Sequence, residues 1–171
     1  AASAMRFSQS LFIMGHLNVR SLTAHIDEVG ELLAAERLDA LCLSESWLTD
    51  KIDSRMLQFP GYTIHRKDRT SSKTGGGVAV LCRDSISVLP LQVPSTDSSL
   101  ETLWLQLNKQ PTVVVGVGYR PPAGPAGAAI DDLHHQLTHV LTRGRPTYLV
   151  GDFNFDVLQP AKPGVAGYLQ M

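Results

Sequence analysis

The chain has 171 residues, of which 43% are hydrophobic and 18% are charged, and its formal net charge at pH 7 is −1. This length favours one domain with a hydrophobic core. The charge balance excludes both a broadly basic nucleic-acid coat and an acidic disordered tail, so any polyanion must bind through locally concentrated positive charge. No apolar run approaches the ~18 residues that span a membrane, so we expect no membrane partner.

The two cysteines, Cys42 and Cys82, both lie inside apolar runs. Neither belongs to a CxxC motif or a His-rich spacing, so we predict two reduced thiols in the core, with a disulfide or a metal pair as the alternative. Reduced thiols are typical of the cell interior, which predicts a nuclear or cytoplasmic location. Residues 1–4, which precede Met5, are typical of a cloning remnant, so we assign residues 5–171 to a single domain.

The first part of the chain predicts a strand, a helix and a second strand. Leu11–Val19 is largely apolar and carries Asn18 near its end, and apolar residues at helical spacing follow from Leu22 to Leu33. Ala40–Ser44 predicts a buried strand that ends at Glu45. Ligand sites of layered α/β proteins collect at the carboxyl ends of strands, so Asn18 and Glu45 are candidate site residues.

The middle of the chain predicts short strands joined by polar segments. Tyr62–Ile64, Val78–Cys82 and Ile86–Val93 have strand character, and the polar segment from His65 to Gly77 predicts a loop. Apolar and polar residues alternate from Leu103 to Asn108, which predicts a strand whose second face, with Trp104, is the wetter one.

The last part predicts a strand, a helix and a strand. Val113–Val117 is a β-branched run that ends at Tyr119, and Ile130–Leu141 has the spacing of an amphipathic helix. Thr147–Val150 leads directly into Gly151-Asp152-Phe153-Asn154. If the extended geometry persists, Asp152 and Asn154 point to the same face; an Asx-turn is the alternative. An acid and an amide side by side suit a hard cation and a phosphate oxygen.

Four predicted strands therefore end in polar side chains, namely Asn18, Glu45, Tyr119, and Asp152 with Asn154. One such ending is common by chance, whereas four in the same arrangement favour a shared site.

Five segments occur in a characteristic order, and together they cover most of Leu11–Asp156. They are His16–Leu22, Leu41–Leu48, Gly75–Val80, Val117–Pro122 and Gly151–Asn154. This set resembles the endonuclease/exonuclease/phosphatase family, and within it the apurinic-like endonuclease domain of non-LTR retrotransposons. The resemblance implies an α/β sandwich of two mixed β-sheets flanked by helices. It also implies metal-dependent phosphodiester cleavage with Mg²⁺, or Mn²⁺ as a substitute, and DNA as the partner.

The resemblance also implies roles for the strand-end residues. Glu45 is similar to the family's metal-binding carboxylate, and Asn18 to the residue that helps fix the metal and the phosphate. Tyr119 would donate a hydrogen bond to the scissile phosphate. Asp152 would border the metal and orient or deprotonate the attacking water, and Asn154 would hold a phosphate oxygen.

Basic residues provide candidate contacts to the phosphate backbone. Arg20 and Arg120 lie beside site residues in the sequence. The densest basic run contains Arg66, Lys67, Arg69 and Lys73. This run predicts a phosphate-contacting surface, with a solvated loop as the alternative.

The sequence departs from the family pattern in one respect, because it contains no Ser-Asp-His motif. The resemblance therefore implies a C-terminally truncated domain that lacks its last strands and is weak or inactive alone. We expect a homodimer or a complementing C-terminal segment to supply what is missing. The alternative is a non-catalytic nucleic-acid-binding or protein-interaction module derived from the endonuclease domain.

Overall fold

A computed structural model describes residues 11–69, 75–96, 98–162 and 164–171. The predicted remnant at residues 1–4, and Lys73 of the basic run, lie outside these ranges. The strands in chain order are β1 (Met14–Asn18), β2 (Ala40–Ser44), β3 (Tyr62–Lys67), β4 (Val78–Arg83), β5 (Ser87–Pro90), β6 (Glu101–Asn108), β7 (Val113–Tyr119) and β8 (Thr147–Asp152). The helices are α1 (Ile26–Glu36), α2 (Ala126–Leu141) and α3 (Val165–Gln170).

The strands form two four-stranded mixed sheets. The first sheet has the order β1-β2-β4-β3 and the second has the order β5-β6-β7-β8. The pairs β1–β2 and β7–β8 are parallel, and the other pairs are antiparallel. This arrangement confirms the predicted α/β sandwich of two mixed sheets flanked by helices.

Hydrophobic side chains fill three layers. Val29 and Leu33 of α1 share a core with Leu41 on the outer face of the first sheet. A central core between the sheets includes Cys42, Cys82, Leu105 and Val115. On the outer face of the second sheet, Val140 of α2 packs with Trp104, and Leu133 packs with Phe153.

The two thiols lie in the central core, as predicted. Cys42 and Cys82 are free and buried. Burial raises the pKa of both thiols, that of Cys82 to about 12. Because the thiolate is the reactive form, both cysteines behave as small apolar core residues.

Strand β7 shows how the sequence selects this packing. All seven of its residues are buried. Its alternate residues, Val113, Val115, Val117 and Tyr119, face the central core. The glycines between them admit bulky neighbours from the other face: a Cβ at Gly116 would lie 2.5 Å from the Trp104 ring, and one at Gly118 would lie 2.5 Å from Phe153.

Three expectations about local structure are wrong. Strand β3 continues to Lys67, so Arg66 and Lys67 lie on a strand rather than in a loop. Trp104 is only 1% exposed, because its ring fills the space above Gly116 and its Nε1 donates to Gln136 Oε1 of α2 at 2.8 Å. The first helix begins at Ile26, because a separate 3₁₀ turn spans Leu22–Ala24.

The part of the chain that the structure describes contains no helix that is both long and apolar enough to cross a membrane.

The half-buried imidazole of His65 on β3 predicts a pH-dependent stability. Burial lowers its pKa below the usual 6.5, so the unfolded chain takes up this proton at a higher pH than the folded chain does. The contribution of His65 to the free energy of unfolding is therefore fully present above pH 6.5 and is lost as the pH falls below 6.5. We expect His65→Gln to reduce the loss in the free energy of unfolding between pH 7.5 and pH 5.5, measured by urea denaturation. An unchanged loss in the variant would contradict this assignment.

Candidate functional site

The carboxyl ends of four strands converge at one side of the sandwich. In the parallel pair β1–β2, Asn18 lies opposite Ser44, the residue before Glu45. In the parallel pair β7–β8, Tyr119 lies opposite Asp152. Glu45 thus comes from the first sheet and Asp152 from the second.

A single amide nitrogen joins these two acids across the sheets. Asn18 Nδ2 donates to Glu45 Oε1 at 2.9 Å and to Asp152 Oδ2 at 2.7 Å. Both acceptors are carboxylates, so the amide must present its nitrogen to them and its oxygen away from them. The hydrogen bonds therefore determine the orientation of the Asn18 side chain.

The oxygen of the same amide has no partner within the described ranges. Asn18 Oδ1 is buried and makes no hydrogen bond to any residue that the structure describes. A buried, unsatisfied carbonyl costs about 1–3 kcal/mol, unless a ligand supplies the missing interaction. The Asn18 amide and the two carboxylates supply oxygen atoms, the ligand type that a hard cation such as Mg²⁺ prefers.

Backbone strain is concentrated at this site. Among non-glycine residues in the described ranges, six have a positive φ, and five of these belong to the site loops. The sixth, Arg37, ends helix α1 in a left-handed cap. Strain of this kind costs about 1–3 kcal/mol per residue and is typical of functional sites. The five are Arg20 (φ 43°), Ser21 (89°), Glu45 (55°), Trp47 (54°) and Asn154 (51°).

Hydrogen bonds between neighbouring loops hold the strained backbone. Ser21 N donates to Glu45 O at 3.0 Å, which ties the loop after β1 to the loop after β2. Trp47 N donates to Gly76 O at 2.9 Å, which ties the second loop to the glycine-rich segment before β4. The Glu45 carboxylate therefore stands on a rigid support.

Asp152 and Asn154 form a turn rather than a continued strand. Asp152 Oδ1 accepts a hydrogen bond from Asn154 N at 3.2 Å, which is the Asx-turn alternative. Gly151 permits this geometry, since a Cβ at its position would lie 2.1 Å from Gly118 O. Asn154 is exposed, and its Nδ2 donates to Arg120 O at 2.8 Å, leaving one amide hydrogen for another acceptor.

Tyr119 presents a neutral hydroxyl. Burial, reinforced by the negative charge of Glu45, raises the pKa of Tyr119 above its usual value of 10. The phenol thus remains protonated at neutral pH and can donate a hydrogen bond. The guanidinium of Arg69 lies over the Tyr119 ring, 5.6 Å from its centroid, and is paired with Glu101.

Arg120 holds the Asp152–Asn154 turn in place through hydrogen bonds. Arg120 is 4% exposed, and its guanidinium donates to the carbonyl oxygens of Phe153 at 2.7 Å, Asn154 at 2.5 Å, Gly124 at 2.9 Å and Pro121 at 3.2 Å. Its main chain also bonds to Asp152, with Arg120 N donating to Asp152 O at 3.0 Å. These bonds connect the loop after β7 with the turn after β8.

The other predicted phosphate contacts divide into partnered and exposed side chains. Arg66 is paired with Asp68 and donates to the carbonyl oxygen of Ile52 at 2.8 Å, which secures the loop before β3. Arg69 is paired with Glu101, and both side chains are largely buried. Arg20 and Lys67 are exposed.

Sequence reasoning assigned no role to two residues at the site. Glu101 lies opposite Tyr119 in the β6–β7 register, so correct pairing of these two strands would have placed it here. Trp47 lies within one of the motif segments, and its Nε1 donates to Glu45 Oε2 at 3.3 Å. Its position two residues after Glu45 is the sequence feature that could have identified it as a site residue.

The candidate metal ligands at this site are oxygen atoms. Within the described ranges, no cluster of three or more His, Cys, Asp and Glu residues could hold a metal. Mg²⁺ usually keeps several waters and binds through only one or two carboxylates, and Glu45 and Asp152 are two carboxylates of this kind.

These strand-end residues and the two-sheet fold define a class of protein. Residues 15–164 match the model of the Endonuclease/Exonuclease/phosphatase family, and the chain belongs to this family.

One known protein is similar to the chain in sequence, and two solved structures are similar to it in fold. Over 104 residues the chain is 30% identical to the RNA-directed DNA polymerase from mobile element jockey of Drosophila funebris, a match that covers 60% of this chain and 11% of that protein. The fold is similar to that of the 3′ phosphatase NExo from Neisseria bound to product DNA hairpin (TM-score 0.68, 21% identity, covering 93% of this chain and 69% of that one). It is also similar to an AP endonuclease from Archaeoglobus fulgidus (TM-score 0.60, 18% identity, covering 94% and 70%).

The support that Arg120 provides can be tested with a pair of Arg→Lys variants. We expect Arg120→Lys to lower the free energy of unfolding by about 2 kcal/mol or more, because one ammonium group cannot replace the guanidinium fork among four carbonyls. Arg20→Lys, at an exposed site, should change it by less than about 0.5 kcal/mol. Urea denaturation measures both, and equal stabilities would refute the proposed support.

Proposed function

We propose that this chain is a metal-dependent DNA endonuclease domain of the retrotransposon type. The observation that carries the proposal is the Asn18 amide, which joins Glu45 and Asp152 through its nitrogen and whose buried oxygen has no partner among the described residues. The 30% identity to the jockey protein supports the retrotransposon type. The product DNA hairpin bound by the similar Neisseria phosphatase supports DNA as the substrate class.

Three residues would hold the metal. Enzymes of this family generally use divalent metals, and Glu45, Asn18 and Asp152 would bind Mg²⁺, or Mn²⁺ in its place. When bound, the ion would neutralise charge that develops on the phosphate and on the leaving oxygen. Asn18 Oδ1 would then gain the partner that it lacks.

The neighbouring residues would position the phosphate and the water. Asp152 is held by Asn18 Nδ2 and by Asn154 N, so its carboxylate can orient the attacking water and accept its proton. The neutral Tyr119 hydroxyl would donate to a non-bridging phosphate oxygen. The remaining amide hydrogen of Asn154 would donate to a second oxygen.

Local positive charge would hold the rest of the DNA strand. Arg20 and Lys67 are exposed and free to approach phosphates. Arg66, Arg69 and Arg120 also remain proposed phosphate contacts, which would require each guanidinium to share or exchange its present partners.

The proposed homodimer or complementing segment would bind at an edge strand of one of the two sheets. In the strand orders given above, β1 and β8 each have a single neighbour. Leu17 of β1 is 37% exposed and Tyr148 of β8 is 43% exposed. An additional strand from a second copy, or from a complementing segment, could pair with either strand and cover these side chains.

Nicking of supercoiled plasmid in Mg²⁺ or Mn²⁺ tests the proposal. Because we expect the chain alone to cleave only weakly, we expect a slow wild-type rate, and we expect Glu45→Ala and Asp152→Ala each to reduce it to background, since they remove a metal ligand and the acceptor for the water proton. Glu31→Ala, at an exposed position on α1, is the matched control and should nick at the wild-type rate.

The remaining outcomes separate the alternatives. Equal nicking by all four proteins would identify a contaminating nuclease and refute the proposal. Salt-dependent DNA binding by a wild-type protein that does not cleave would favour the non-catalytic binding module.

A further inference from the structure

One tryptophan stands exposed at the proposed active site. Trp47 is 44% exposed, whereas Trp104, the second of the two tryptophans in the chain, is 1% exposed. Trp47 lies two residues after Glu45, and its ring borders the glycine-rich segment, where a Cβ at Gly75 would lie 3.4 Å from its Nε1. Its exposed surface therefore adjoins the carboxylate that we assign to the metal.

The side chain is held in this exposed position. Its Nε1 donates to Glu45 Oε2 at 3.3 Å, which anchors one edge of the indole. Its backbone has a φ of 54° and is locked by the bond from Trp47 N to Gly76 O. Ser46, directly before it, is fully buried. Trp47 is thus a large ring held partly toward water on a strained backbone, and strain of this kind clusters at ligand sites.

The chemistry of the surroundings identifies the kind of ligand. The indole donates a hydrogen bond to Glu45, which would hold the metal beside a phosphate. A ligand that reaches both the ring and the phosphate position must therefore combine a phosphate with a flat apolar surface. A nucleotide has both features, since every base has a π face that stacks on aromatic side chains. The exposed Arg20, in the loop bonded to Glu45 O through Ser21 N, adds positive charge nearby.

We propose that the exposed face of Trp47 is a stacking platform for an unstacked nucleobase adjacent to the bound phosphate. This subsite rests on the proposed function, because the nucleotide is positioned by its phosphate, which the proposed function puts beside Glu45. The platform accepts any base, so it selects locally unpaired or distorted DNA rather than a particular sequence.

Intrinsic fluorescence tests this contact directly. Binding is measured with oligothymidylate and with a base-free oligomer of the same number of phosphates, in Ca²⁺ instead of Mg²⁺ to limit cleavage. We expect oligothymidylate to quench the tryptophan emission and to protect it from acrylamide, and we expect the base-free oligomer to do neither. Trp47→Phe should abolish the response, since the buried Trp104 alone remains.

Affinities measured with labelled oligomers complete the test. We expect Trp47→Ala to weaken oligothymidylate binding by about 5- to 150-fold, the usual effect of losing one stacked base, and to leave base-free binding unchanged. Trp47→Phe keeps a flat ring but loses the bond to Glu45, and it should bind oligothymidylate within about 3-fold of the wild type. Circular dichroism and thermal unfolding verify that each variant is folded.

The outcomes distinguish this subsite from the proposed function. Equal weakening toward both oligomers by Trp47→Ala, or equal weakening by the Ala and Phe variants, would mean that Trp47 acts through Glu45 and would overturn the stacking platform alone. Unchanged affinity in both variants would overturn it as well. A wild-type protein that binds neither oligomer would overturn the phosphate site together with the platform.

Discussion

The site depends on the two hydrogen bonds that Asn18 Nδ2 donates, one to Glu45 and one to Asp152. Two carboxylates from different sheets repel each other when they converge, and a neutral donor between them reduces this repulsion. The bridge joins the carboxyl ends of β1 and β8, and because the pairs β1–β2 and β7–β8 are parallel, β2 and β7 end at the same side of the sandwich. The bridge requires a close approach of β7 and β8, which the absence of a side chain at Gly151 allows.

Much of this arrangement was predictable from the sequence, because strands with uniform burial leave a strong pattern. The run from Val113 to Tyr119 is buried on both faces, and its end could be read directly. The convergence of Asn18, Glu45 and Asp152 followed from the rule that strand ends collect ligands. The Asx-turn at Asp152 was open as an alternative, and its choice depends on the bond from Asn154 N.

Other features depend on contacts between residues distant in the chain, and sequence patterns do not reveal them. Trp104 is buried because Gly116 and Gln136 receive its ring and its Nε1. The positive charge of Arg120 predicts a phosphate contact, but no sequence pattern indicates the four carbonyl oxygens to which its guanidinium donates. The general lesson is that charge and position in the chain indicate where a site lies, while the partners of each side chain decide what it does there.

The most direct test of the account is to locate a metal ion by X-ray crystallography, with Mn²⁺ soaked into crystals of the protein. We expect an anomalous difference peak within bonding distance of Asn18 Oδ1 and a carboxylate oxygen of Glu45. The peak should be absent from crystals of Glu45→Gln, which preserves the shape of the side chain and removes its charge. A wild-type crystal without this peak at millimolar Mn²⁺, or with the ion bound away from Asn18 and Glu45, would contradict the account.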